Sequence, residues 1–157
     1  MLRFLLLWFC FSASAQKTES VQELYIKSYK SKENASNFYQ LTEENQSKSP
    51  INLAYFGAAK MIYAKYSKNK IELLKDGKNI IENAIKSNPN DIELRFIRLS
   101  IQENLPKIVS YHKNIDEDKK HIIENIDNQN SKLKKYICEY IKISKVFSEE
   151  EKRTTIK

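Results

Sequence analysis

With two glycines and three prolines in 157 residues, this chain has few places for the tight reversals that join neighbouring strands. That scarcity argues against a many-stranded architecture and makes helices the expected element. The apolar residues agree, since they recur at intervals of three and four. A hydrophobic share of 41% is that of a folded chain with a buried interior, and the length suits one compact domain.

The stripe Val21, Leu24, Tyr25 and Ser28/Tyr29 predicts a first helix from Glu19 to about Ser31. A second starts at Asn34 or Ser36, carries Phe38, Tyr39 and Leu41, and stops before Ser47-Lys48-Ser49-Pro50; the residues leave open whether the two are one bent helix. Pro50 suits the start of a third, in which Ala54, Gly57, Ala58, Ala59 and Ala64 form a small face that lets a neighbour approach. Leu73, Leu74, Gly77, Ile80, Ile81, Ala84 and Ile85 predict a fourth, ending at Ser87-Asn88-Pro89-Asn90. Asp91 is an N-cap for a fifth, which buries Leu94, Phe96, Ile97 and Ile101 and ends near Asn104 because Pro106 disfavours helix in the residue before it. Asp116-Glu117-Asp118 suits the positive end of a sixth, and Ser131 caps a seventh whose inner stripe is Leu133, Tyr136, Ile137, Tyr140 and Ile141. Residues 148–157 are expected to make one short turn and a basic tail.

The first fifteen residues read as an address. Arg3, the apolar run Phe4 to Phe11 and Ala13-Ser14-Ala15 have the order that a secretory signal peptidase recognises, and the run is too short to span a bilayer. Residues 1–15 are therefore an expected signal peptide, residues 16–147 one helical domain, and the destination the bacterial periplasm or the exterior. Cys10 does not fit a lipoprotein site, because Leu7-Trp8-Phe9 before it is too bulky. Cleavage after Ala15 leaves Cys138 alone, so no internal disulfide is expected.

Loss of Arg3 with the leader lowers the formal charge from +7 to +6. The lysines are scattered among Asn, Ile and Glu rather than gathered in a block, which reads as a solvated surface and not as a nucleic-acid interface.

Ala84-x-x-x-x-Pro89, with Gly77 before it, resembles the second helix and closing proline of a tetratricopeptide repeat. Leu53-x-x-Phe56-Gly57 resembles the glycine step of that repeat's first helix, with about eight more residues before Gly77 than the usual period has. Leu94-x-x-Ile97 repeats the apolar spacing, although Arg98 stands where a small residue belongs. The segment from Ala54 to Ile126 is also similar to a group of uncharacterised exported proteins from Bacteroidetes, on Gly77-Lys78, Asn88-Pro89-Asn90, Glu93-x-Arg95-Phe96-x-Arg98, Pro106 and Tyr111-x-x-Asn114-Ile115-x-x-Asp118. The resemblance implies an exported bacterial protein, all-α, built as a short tetratricopeptide-like stack of six to seven helices in antiparallel pairs. It carries no catalytic residue over.

Few residues invite chemistry. Arg95 and Arg98, three apart on one helix, make the best candidate binding feature: a fork for a carboxylate or phosphate, or else a pair bound to Asp118 or Glu103 across a hairpin. His112 and His121 are nine apart and match no compact zinc spacing, so no metal and no cofactor are expected. Cys138 has Lys135 and Lys142 near it but Ile137 and Ile141 beside it, which reads as a packing thiol. Tyr25, Phe56, Tyr63, Phe96, Tyr136 and Tyr140 fall at helical spacing and are expected in the core. No hydrolase or phosphate-loop motif occurs. The leading expectation is a non-enzymatic module that binds a protein or peptide; the alternatives are a carrier of a small ligand or lipid, and an unorthodox hydrolase.

Overall fold

The structure is a computed structural model that describes residues 19–45 and 49–156. The expected signal peptide lies outside the described residues. Those residues form eight α-helices and two 3-10 turns, with no strand among them.

Helix α1 spans Val21–Ser28 and opens with a capping box between Ser20 and Glu23. Helix α2 spans Lys32–Glu44 and is capped by Ser31, whose hydroxyl accepts from Asn34 N, so the helix begins before the expected Asn34 or Ser36. The turn at Tyr29–Lys30 makes α1 and α2 separate helices. Pro50 is the first residue of α3 (Pro50–Tyr63), which tightens into a 3-10 turn at Ala64–Tyr66. Helix α4 runs Lys70–Ser87.

Asp91 caps α5 (Ile92–Asn104) by accepting from Glu93 N at 2.9 Å and Leu94 N at 3.2 Å, and Leu105 is extended before Pro106. Helix α6 spans Ile115–Asn125 with three acids in its first turn. The cap of α7 (Ser131–Ile143) is Asn130 rather than Ser131. Residues 149–155 are not a tail: they form α8, started by a Ser148–Glu151 capping box and tied to α6 by Lys119–Glu151 at 3.0 Å.

The helices stack as antiparallel pairs. Lys60 meets Asp76 at one end of α3 and α4, and Pro50 lies near Ser87 at the other. The odd-numbered helices run alike. Tyr55 of α3 meets Glu93 of α5, and Phe96 and Glu103 of α5 meet Tyr136 and Tyr140 of α7 and Ser144 just after it. The helices before Pro50 share this core: the Tyr25 ring lies 5.6 Å from Phe38, 5.4 Å from Tyr55 and 6.5 Å from Phe96. Each such fully buried ring stabilises the fold by about 1.5–3 kcal/mol. Its polar tip is also satisfied, Tyr25 Oη lying 2.6 Å from Ser100 Oγ.

Both glycines are spent on one contact. Gly57 and Gly77 face each other across α3 and α4, where a Cβ on Gly57 would lie 2.8 Å from Gly77 O, and one on Gly77 would run into Gly57 O and Met61 Cγ. Gly77→Ala is expected to lose about 1–3 kcal/mol to overpacking, despite the gain of about 1 kcal/mol that alanine brings to a helix interior. Urea unfolding checks this: a midpoint at or above that of the parent chain would mean that the helices do not approach so closely.

Candidate functional site

Arg95 and Arg98 project from α5 toward α6, one turn apart. Arg98 grips Asp118 with two parallel bonds, Nε to Oδ2 and Nη2 to Oδ1, both 2.7 Å, and its Nη1 donates to Glu82 Oε2 at 3.1 Å. Arg95 Nη1 donates to Glu117 Oε1 at 2.5 Å and Asp118 Oδ1 at 3.0 Å, while its Nε donates to Pro89 O at 2.9 Å. Tyr111 closes the cluster by donating to Glu82 Oε1 at 2.7 Å.

Arg98 is 3% exposed and Asp118 0%. Burial disfavours the Arg98 charge, but the paired bonds from Asp118 and the field of Glu82 outweigh it and hold the guanidinium above its ordinary pKa. Asn114 and Arg95 keep the Glu117 carboxyl below the usual range. Of the two readings of the fork, the structure shows the one in which Asp118 occupies it across the hairpin. The carboxylate that fills it is internal, and the cluster staples α4, α5 and α6 together. Glu103, the other partner considered, instead accepts from Tyr140, Ser144 and the Lys145 backbone N–H.

The two histidines are apart. His112 Nδ1 lies 2.8 Å from Gln102 O, and His121 Nε2 lies 3.1 Å from Asn90 O. No group of three or more His, Cys, Asp or Glu poised to hold a metal occurs among the described residues. Cys138 is buried, and burial raises its thiol pKa despite Lys134 and Lys142 nearby, which fits a packing role. Of the six aromatics expected in the core, Tyr63 and Tyr136 are only half-buried and the other four are buried. Tyr63 stacks on Tyr39, with ring centroids 5.3 Å apart.

What the fold assembles, and no stretch of sequence displays, is a half-open cavity of about 290 Å³ at the end where α1, α3 and α5 finish. Met61, Ile62, Leu74 and Ile101 give it an apolar floor, the ring of Tyr29 forms one wall, and Lys65 and Lys70 stand at its rim. No carboxylate lines it. Its residues come from four helices and three connections, so periodicity could mark Leu74 or Ile101 as apolar without showing that they surround a void. The segment around Lys68 reads in the sequence as a mere polar link.

Compared with known protein families, curated proteins and solved structures, the chain matches none of them.

Proposed function

We propose that this chain is an exported, non-enzymatic binding module, active in the periplasm or outside the cell, in which tetratricopeptide-like helix pairs present a site to a protein or peptide partner. The observation that carries the reading is the end cavity, with its apolar floor and lysine rim. It replaces the Arg95/Arg98 edge, whose hydrogen bonds are spent inside the fold. At about 290 Å³ the cavity sits at the lower limit of ordinary ligand sites. Being open on one side, it suits one or two anchor side chains of a partner better than a whole acyl chain, which sets the carrier alternative second. A hydrolase would need carboxylates or a histidine converging in a cleft, and the lining offers neither.

Apolar anchors flanked by acids match a greasy floor beneath two cations. An acetylated Glu-Leu-Phe-Glu peptide is therefore expected to shift the amide resonances of Tyr66, Leu74 and Asn104 at submillimolar to millimolar concentration. Leu74→Trp, which fills the void, is expected to weaken that binding at least tenfold. Shifts confined to other faces, or equal binding by Leu74→Trp, would overturn the assignment.

A further inference from the structure

The chain contains the dipeptide Lys-Ile three times, at Lys70-Ile71, Lys107-Ile108 and Lys142-Ile143. These three isoleucines are the exposed large hydrophobics among the described residues, at 84%, 91% and 74% exposure. The topology brings all three to one end of the stack. Ile71 opens α4, Ile108 lies in the α5–α6 connection, and Ile143 closes α7. The cavity joins Tyr29, Ala64–Tyr66, Lys70 and Asn104–Pro106 at this end, and an adjoining hollow lined by Glu103, Asn104, Ile143 and Lys145 continues it.

Charge is sorted the same way. The connections that follow α1, α3, α5 and α7 (29–31, 64–69, 105–114 and 144–148) carry Lys30, Lys65, Lys68, Lys107, Lys113 and Lys145 and no aspartate or glutamate. All six are exposed. Among the described residues, the connections at the opposite end (88–91 and 126–130) carry Asp91 and Asp127 and no lysine. Acids stand in the helix turns that open from the lysine-bearing connections, Asp116 to Asp118 in α6 and Glu149 to Glu151 in α8, so the cationic excess of this end is partial and lies in the connections themselves.

From this coincidence we infer that the lysine-rich end docks on an anionic lipid bilayer. Three separate points with the same chemistry call for a partner that is alike at all three, and a bilayer is laterally uniform where a protein surface is not. Each isoleucine can sink into the boundary between headgroups and acyl chains while the lysine before it stays with the phosphates. Lysines near such a surface each strengthen binding roughly fivefold. The inference stands apart from the peptide reading of the cavity, and the variants below separate the two.

The full chain is mixed with vesicles of phosphatidylcholine alone or with one third phosphatidylglycerol, and bound protein is measured by sedimentation. The parent chain is expected to partition at least tenfold more strongly onto the anionic vesicles, with binding falling steeply as salt is raised from 0.05 to 0.5 M. The triple variant Ile71→Ser, Ile108→Ser, Ile143→Ser should lose at least tenfold, while Leu74→Trp, which blocks the cavity, should bind vesicles as the parent does. Because the apolar run Phe4 to Phe11 is common to all variants, a site-specific readout is added. The emission of Ile108→Trp, after subtraction of the parent signal from Trp8, should shift to the blue and be quenched by brominated lipid. A tryptophan at Lys132, at the opposite end, should show neither effect. Equal partition onto neutral vesicles, or an Ile108→Trp emission indifferent to anionic vesicles, would overturn the inference, and so would a triple variant that instead loses only a protein partner.

Discussion

Replacing Asp118 with alanine is expected to destabilise the protein by about 3–5 kcal/mol, a large part of the 5–15 kcal/mol that holds a domain of this kind together. The reason is what remains. Arg98 stays 3% exposed with its charge intact, and in place of the two parallel bonds to Asp118 it keeps the bond from Nη1 to Glu82 and a looser ion-pair contact with Glu117 at 3.8 Å. Arg95 also loses its bond to Asp118, although Glu117 and Pro89 O still hold it. The companion experiment is the double variant Arg98→Met, Asp118→Leu, which removes both charges and keeps apolar bulk. It should recover most of the loss, because much of a broken ion pair's cost is the stranded charge rather than the missing attraction. Urea unfolding of Arg98→Met, Asp118→Leu and the double variant closes a thermodynamic cycle, and a loss below about 1 kcal/mol for Asp118→Ala would mean that water reaches Arg98.

A second large effect is expected in alkali. Burial pushes the Tyr25 phenol up to about 12 and the Tyr29 and Tyr55 phenols well above their ordinary value. Burial likewise raises Tyr111, Tyr136 and Tyr140, helped in Tyr111 by the Glu82 carboxylate and in Tyr140 by that of Glu103. The folded chain keeps these protons at a pH where the unfolded chain has begun to release them. Their contribution is therefore fully present below about pH 10, the unfolded value, and is lost as pH rises toward the folded values. Each tyrosine that must wait for unfolding steepens the decline by about 1.4 kcal/mol per pH unit, so several together should make the transition abrupt. Phenolate absorbance at 295 nm and helical ellipticity at 222 nm are expected to change together between about pH 10 and 12. Smooth ionisation of the buried tyrosines near pH 10 with the helices intact would refute it.

The sequence carries much of this architecture in its local signals. Pro50 and Asp91 start α3 and α5 as read, because a missing N–H and a capping carboxylate act within one turn. Gly57 and Gly77 mark the closest helix contact, because nothing larger fits between two backbones. Where two cappers adjoin, locality fails: Asn130 takes the role expected of Ser131. The acids after Ser148 were legible as a turn, but their extension into α8 depends on Lys119, more than thirty residues away. The candidate sites were still less legible. Residue type alone gave the choice between an external anion and Asp118 for Arg98, and only packing decides it. The end cavity and the three exposed isoleucines need the alternating course of the helices before their residues become neighbours.

The bond between Tyr25 and Ser100 also bears on how the molecule comes apart. In a simple linear array each unit touches only the next, and the outermost unit can peel away while the others persist. Here the first helix is held to the fifth across 75 positions of chain by a contact of 2.6 Å, and Gln22 to Glu93 adds a second tie. Closing so long a loop costs entropy, which the contacts of Tyr25 with Phe38 and Tyr55 help to offset. Once seated, α1 fastens the beginning of the chain to its middle, and fraying from that end gives way to cooperative, all-or-none loss of the fold.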